Sequence, residues 1–145
     1  MKNIIVALDF SPATDVLIEE AFQYGKAFNA KVWLIHIAAP DPDFIGYEVG
    51  PEYIREERAE TLKKEHKRLA EYKANLNAQG VETEALLVQG PTVETLLERI
   101  GKLQADLLII GKKGHSLLHK AFIGSVFSSV VKEIEIPVLA VPSKN

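Results

Sequence analysis

Hydrophobic residues are concentrated in five short runs along the chain, and the stretches between these runs have helical or loop character. The first run, Asn3 to Leu8, is almost continuously apolar, and Lys31 to Ala38 follows the same pattern. Runs of this length and composition are typical of strands that are covered on both faces of a parallel sheet. The other three strands are predicted at Val81 to Val88, Asp106 to Ile110 and Pro137 to Val141.

Four of the intervening stretches have the spacing of apolar residues that is expected of helices. At the first of them, Ser11 is placed to cap the helix and Pro12 to occupy its first turn. The second is long and highly charged, and its predicted apolar stripe includes His66 between Leu62 and Leu69. The four helices are predicted to begin near Ser11, Glu52, Pro91 and Ser125 and to end near Phe28, Gln79, Leu103 and Glu133.

The alternation of strands and helices predicts a mainly parallel, five-stranded sheet with helices on both faces, which is a three-layer α/β sandwich. No linker or low-complexity segment interrupts the alternation, so residues 1–145 are predicted to form a single domain. Residues 39–51 have the Pro, Gly and Asp content of a loop, and this loop is unusually long for an α/β connection.

Composition narrows the class of protein further. No apolar run approaches the about 20 residues that a membrane span needs, and Asp9 interrupts the first run too early for a signal peptide. The absence of cysteine excludes disulfides and thiolate metal sites. A net charge of −3 gives no support to a bulk electrostatic grip on nucleic acid. We therefore expect a cytoplasmic protein whose partners are neither nucleic acids nor membranes.

Candidate ligand contacts fall where predicted strands end. In doubly wound sheets, ligands bind outside the carboxyl ends of the strands, at the point where the strand order reverses. Asp9 follows the first strand, Ile37-Ala38 ends the second, and Gly111 follows the fourth. We therefore expect these residues to border a binding site.

The segment GKKGHSLLHKAFIGSV, from Gly111 to Val126, indicates the chemistry of the ligand. Glycine lets a backbone approach a ligand closely, and the first amides of a helix that follows Gly124-Ser125 would favour an anion. Gly111 and Gly114 would shape a loop lined by amides. The sequence contains neither GxxxxGK[ST] nor GxGxxG, so this phosphate site is of neither common type.

The pattern G-x2-G-x9-G-[ST], formed by Gly111, Gly114, Gly124 and Ser125, resembles the ATP-binding signature of the universal stress protein family. The opening IIVALDFSP, the strand end LIHI and the ending GSVFSSVVKEIEIPVLAV are similar to the family as well, so the resemblance covers essentially the whole chain. It implies a Rossmann-like sheet in the order 3-2-1-4-5. It also implies a homodimer. The short apolar strand from Ile136 to Val141 would fall at a sheet edge in this order, so we predict that the two copies meet through this C-terminal strand.

The resemblance further implies an adenine nucleotide as the ligand, namely ATP, ADP or AMP, with Mg²⁺ carried by the phosphates. Asp9 would lie by the ribose and the backbone at Ile37 would meet adenine. Gly111 and Gly114 would pass along the phosphates, which main-chain amides at the end of the segment would hold. The nucleotide-binding residues implied in this way are Ala7, Asp9, Ile37, Ile110, Gly111, Gly114, Gly124, Ser125 and Val126.

Structural interpretations of the same residues stay open. The glycines also suit a tight turn and a helix start, and Asp9 also suits a capping role. His36 is expected to be a hydrogen-bonded core residue. Lys112 and Lys113 suit long-range attraction of a polyanion. Asp41 and Asp43 are more simply explained by a turn than by a cation site.

Two classes of function are consistent with these residues. The first is a binding module in the stress response, in which a dimer or an unknown regulatory protein partner reads the nucleotide state. The alternative is a slow ATPase or phosphate-transferring enzyme, for which His115, His119 and Lys120 are the candidates. The sequence favours the binding module, because it supplies phosphate binding without an evident base to activate water. We therefore expect no catalytic residue and no protein-bound metal.

Overall fold

The structure, a computed structural model, describes residues 1–38, 52–112 and 120–142; within the helices, the side chains of 52–55 and 120–125 are not described. Over these ranges the chain alternates strand and helix, as the sequence predicts. The elements are β1 (Asn3–Leu8), α1 (Thr14–Phe28), β2 (Lys31–Ala38), α2 (Glu52–Ala78), β3 (Thr83–Gln89), α3 (Thr92–Lys102), β4 (Leu107–Gly111), α4 (Lys120–Glu133) and β5 (Val138–Val141).

The strands form one sheet in the order β3-β2-β1-β4-β5, and every neighbouring pair is parallel. The α/β class, the parallel sheet and the 3-2-1-4-5 order are therefore confirmed. The central strand is β1, in which Ile5 lies opposite Trp33 on one side and Leu108 on the other. Because the chain runs from β1 through β2 to β3 and then returns to β4, the strand order reverses between β1 and β4. A ligand site is expected at the carboxyl end of this switch point.

Two hydrophobic cores lie on opposite faces of the sheet. On one face Val6 and Leu34 pack with Leu17 of α1 and Leu69 of α2. On the other face the buried side chains of β1, β2 and β4 pack with those of α3 and α4, among them Ile5, Ile35, Leu96, Leu108 and Val130. The strands read as continuous apolar runs because both faces are covered in this way. Among the described residues, no helix combines the length and apolar character that crossing a membrane requires.

The boundaries of β3, β4 and β5 differ from the prediction by one or two residues, and at the starts of β3 and β4 side chains bond backbone groups. β3 begins at Thr83 rather than Val81, since the Asn77 carboxamide accepts from the Thr83 N–H at 2.9 Å and donates to the Thr83 carbonyl at 3.2 Å. β4 begins at Leu107 rather than Asp106. The Asp106 carboxylate accepts from the N–H groups of Asn3 and Lys2, and these two bonds hold its pKa below the usual range.

The prediction that Ser11 caps the first helix is wrong. α1 begins at Thr14, and its N-cap is Ala13, which makes no side-chain hydrogen bond. Ser11 belongs instead to the preceding turn: its carbonyl accepts from the Thr14 N–H at 3.0 Å and its hydroxyl from the Ala13 N–H at 3.3 Å. Hydroxyl-to-backbone bonds of this kind stabilise turns as readily as helix caps.

The predicted start of the fourth helix is also wrong. α4 begins at Lys120, five positions before Ser125, and therefore includes Gly124. The apolar residues Ile123, Val126 and Val130 recur at helical spacing across the glycine, and this periodicity outweighs the roughly 1 kcal/mol that an interior glycine costs relative to alanine.

The inward face of α2 differs from the predicted stripe at one position. His66 is exposed, and Glu65 is the half-buried residue between Leu62 and Leu69. Adjacent residues of an α-helix are about 100° apart around its axis, so a stripe assigned one position late selects a solvent-facing residue. This correction matters for the site, because Glu65 takes part in it.

Candidate functional site

A cavity of about 390 Å³ opens at the carboxyl ends of β1, β2 and β4. Its floor is formed by residues 7–11 at the end of β1, residues 35–38 at the end of β2, and Ile110 and Gly111 at the end of β4. This is the edge of the sheet at which the strand order reverses. The volume falls within the range of small-molecule sites in proteins.

The walls of the cavity come from all four helices. α1 contributes Leu17 and α4 contributes Val126, while α3 contributes Thr92 and Leu96. The side formed by α2 is polar and carries Arg58, Thr61 and Glu65. Because α1, α3 and α4 each follow a strand at this edge, their N-terminal ends lie there, and their dipoles favour a negatively charged group.

The cavity brings together six of the nine residues that the family resemblance implies, namely Ala7, Asp9, Ile37, Ile110, Gly111 and Val126. Gly114 lies outside the described residues. Gly124 and Ser125 are on α4, where the backbone alone is described. In a helix that begins at Lys120, the amides of Gly124 and Ser125 lie beyond the first four, which alone lack an intrahelical partner. Phosphate binding by these two amides therefore requires the first turn of α4 to open.

Asp9 has a structural contact in addition to its place in the cavity. One carboxylate oxygen, Oδ1, accepts a hydrogen bond from the Ser11 N–H at 3.1 Å, which closes the turn between β1 and α1. The capping interpretation of Asp9 thus describes a turn rather than the helix itself. The carboxyl group is half-buried and lines the cavity, so the same residue is placed for ligand contact.

Gly111 is the last residue of β4 and is paired with Val141, so it does not form a tight turn. Among the described glycines, Gly80 and Gly90 have a positive φ, and Gly111 does not. Within the described ranges, the nearest atom to a Cβ added at Gly111 would be Leu17 Cδ1 at 3.9 Å, which is an ordinary contact. In the part of the chain that the structure describes, neither a positive φ nor a close contact requires glycine at this position.

The buried His36 and the half-buried Glu65 form a pair in the cavity wall. The His36 Nδ1–H donates to the Leu8 carbonyl at 2.8 Å, and Nε2 lies 2.5 Å from Glu65 Oε2. The expectation that His36 is a hydrogen-bonded core residue is confirmed, since the residue is 8% exposed and both ring nitrogens have partners. Sequence reasoning missed Glu65, although its position on the stripe between Leu62 and Leu69 could have revealed it.

Phe10 is a second residue that the sequence interpretation did not select. Its φ is 59°, in the left-handed region, which costs a residue with a side chain roughly 1–2 kcal/mol. The ring lies in the cavity lining, 4.5 Å from the His36 ring, and the Arg68 guanidinium sits 4.6 Å from its centre. Backbone strain of this kind is concentrated at functional sites.

Four polar residues that the sequence offers for cation binding or catalysis lie outside the described residues, namely Asp41, Asp43, His115 and His119. Within the described ranges, no group of three or more His, Asp or Glu side chains is arranged to hold a metal ion.

A model of the universal stress protein family matches residues 1–142. The chain belongs to this family. Universal stress protein MJ0531 of Methanocaldococcus jannaschii is 30% identical, and the match covers 97% of this chain and 81% of that protein. A universal stress protein of Thermus aquaticus, from the 3′ region of a QAH/OAS sulfhydrylase, is 32% identical, with 97% of this chain and 98% of that protein covered.

A solved universal stress protein structure also matches this chain, and that protein was crystallised in complex with cAMP. The two are 25% identical, with a TM-score of 0.67 and with 97% of this chain and 95% of that chain covered. Nucleotide binding thus occurs in a member of the family with this fold.

Proposed function

We propose that this universal stress protein binds an adenine nucleotide, ATP in the first place, in the cavity at the carboxyl ends of β1, β2 and β4. The observation that carries the proposal is the cavity itself. Residues as far apart in sequence as Ala7, Ile37 and Val126 meet around one space of about 390 Å³. The nucleotide-bound relative adds support, since cAMP is an adenine nucleotide.

The orientation of the nucleotide follows from the chemistry of the lining. The floor of the cavity at Ala7, Ile35 and Ile37 is apolar and suits the base, whereas the half-buried Asp9 carboxylate suits ribose hydroxyls. The phosphates point toward Gly111, which lines the cavity and has no side chain, and toward the N-terminal part of α4, where the helix dipole is favourable. In this proposal Gly114, Gly124, Ser125 and Val126 contribute amides to the phosphates.

Mg²⁺ enters this site with the nucleotide. The described residues offer no ready-made cluster of metal ligands, and Mg²⁺ is commonly bound through substrate phosphates together with one or two carboxylates. Asp9 is the carboxylate of the cavity floor that stands near the proposed ribose.

We further propose that the nucleotide acts as a regulatory signal that the dimer or a protein partner reads in the cytoplasm. A cradle of main-chain amides stabilises charge that is present in ground and transition states alike, so it favours binding without lowering a chemical barrier. The alternative, a slow ATPase, would need a positioned base or cation that engages as the γ-phosphate leaves.

Identification of the nucleotide that co-purifies with the protein tests this proposal. We expect mass spectrometry of the denatured protein to find ATP, ADP or AMP, and calorimetry on the stripped protein to give saturable binding of Mg-ATP. Phosphate release should stay far below the roughly 1–100 per second of kinases. Absence of any adenine-nucleotide binding contradicts the proposal. Turnover above about one per second, lost in His115→Ala or His119→Ala, identifies an enzyme instead.

The proposed dimer uses β5, which lies at the edge of the sheet. A short apolar edge strand presents unpaired backbone groups that a second copy can pair with across a two-fold axis. Val138→Lys should shift the sedimentation of the protein from dimer toward monomer, because it places charges in the contact. Val138 is half-buried, whereas Val141 is 5% exposed and too deeply packed for this test. A wild-type protein that is monomeric at micromolar concentration contradicts the dimer.

A further inference from the structure

The His36 ring is fixed in the cavity wall by contacts on several sides. Because a carbonyl oxygen only accepts hydrogen bonds, the contact with Leu8 requires a proton on Nδ1. The Phe10 ring packs against the imidazole at 4.5 Å between centroids and prevents it from tilting away. Nε2 is therefore held toward α2, where it meets Glu65.

This contact fixes the Glu65 carboxyl group through only one of its two oxygens. Oε2 lies 2.5 Å from His36 Nε2. Two such atoms approach this closely by sharing one proton in a hydrogen bond. Whichever atom carries that proton, the other carboxyl oxygen, Oε1, has none and is a hydrogen-bond acceptor. Oε1 is buried and has no hydrogen-bond partner among the described residues, although Glu65 lines the cavity. A buried acceptor without a partner is costly, so such atoms call for an explanation.

The chemistry of this oxygen restricts which groups can form a hydrogen bond with it. A carboxyl oxygen repels phosphate and accepts from a neutral N–H or O–H group. The side of the cavity formed by Glu65 is therefore unsuited to the charged end of a nucleotide. It suits the nucleoside end, which carries an exocyclic amino group and ribose hydroxyls as donors.

We propose that Glu65, positioned by His36, is a specificity-determining residue that accepts a hydrogen bond from the nucleoside part of the ligand. This inference rests on the proposed function, and it names the group with which the cavity distinguishes one nucleoside from another. The donor is either the 6-amino group of adenine or a ribose hydroxyl. Because both present the same N–H or O–H chemistry, ligand analogues separate them.

The test compares affinities for ATP and three analogues, each of which removes one donor. Purine riboside triphosphate lacks the 6-amino group, and 2′-deoxy-ATP and 3′-deoxy-ATP each lack one hydroxyl. We expect the wild-type protein to prefer ATP over one of these analogues by about tenfold or more, because a site built to bond a donor rejects ligands that lack it. The disfavoured analogue identifies the donor.

Two substitutions at Glu65 then separate an acceptor from a merely structural charge. Glu65→Met keeps the length of the side chain and removes the acceptor, so the preference should fall to within about twofold. Glu65→Gln should retain it, because the amide can donate to neutral His36 Nε2 while its carbonyl takes the place of Oε1. Glu71→Met, at an exposed position of α2, is the matched control and should leave the preference unchanged.

The outcomes distinguish this inference from the function on which it rests. A wild-type protein that binds no adenine nucleotide refutes the proposed function. A wild-type protein that binds ATP and all three analogues alike overturns the role of Glu65, and this result needs no variant. The role is also overturned if Glu65→Met keeps the wild-type preference or if Glu65→Gln loses it. Each preference is a ratio measured on one variant, so a change in overall stability does not imitate the expected result.

Discussion

Gly111→Val should lower the affinity for ATP by about a hundredfold while leaving the far-UV circular dichroism spectrum and the melting temperature close to wild type. The new side chain is added to a residue that lines the cavity, and among the described residues its nearest neighbour at the Cβ position is 3.9 Å away. A strand tolerates a β-branched residue. The two methyl groups would overlap a ligand that crosses Gly111, and overpacking of this size costs up to about 3 kcal/mol, which corresponds to about a hundredfold in affinity.

Gly101→Val is the matched control for this substitution. Gly101 is exposed near the end of α3, and a Cβ atom there would have no neighbour within 4 Å. Calorimetric titration with ATP should therefore give the wild-type affinity for Gly101→Val. If Gly111→Val also binds ATP with wild-type affinity, the ligand does not approach Gly111. That result would contradict the proposal that the phosphates pass over this residue at the end of β4.

The fold was accessible from sequence because its strands are buried on both faces. A nearly continuous apolar run such as Asn3–Leu8 has few interpretations other than a central parallel strand. The boundaries were less accessible, because they depend on contacts between distant parts of the chain. Asp106 lies outside β4, and its carboxylate accepts hydrogen bonds from the amides of Lys2 and Asn3. No local sequence pattern around Asp106 indicates these bonds.

The candidate site likewise has a part that was predictable from the sequence and a part that was not. Residues at strand ends, such as Asp9 and Ile37, were predictable because the carboxyl ends of parallel strands converge at the switch point. The polar wall of α2 was not, because it depends on the rotation of that helix about its axis. One position separates Glu65, which pairs with His36, from the exposed His66. Phe10 was missed because no residue type signals a left-handed backbone as glycine does.

Gly124→Val should abolish ATP binding, and the reason lies in the start of α4. This helix begins at Lys120, so the amides of Gly124 and Ser125 reach a phosphate only if its first turn opens. A glycine inside a helix is about 1 kcal/mol less favourable than alanine, and it therefore keeps this turn easy to open. Valine would remove that freedom and would also place a bulky side chain beside the phosphates. The circular dichroism spectrum should stay near wild type.

Gly124→Ala separates the two contributions. Alanine adds a single methyl group and stabilises the helix by up to about 1 kcal/mol, so it should lower the affinity for ATP by up to about fivefold. The same titration should show no such loss for AMP, because its single phosphate reaches less far toward α4. If the phosphates bind the free amides at 120–122 of an intact helix, Gly124→Ala would leave the affinity for ATP unchanged or improve it. That result would assign the anion site to the observed start of α4 and remove Gly124 and Ser125 from it.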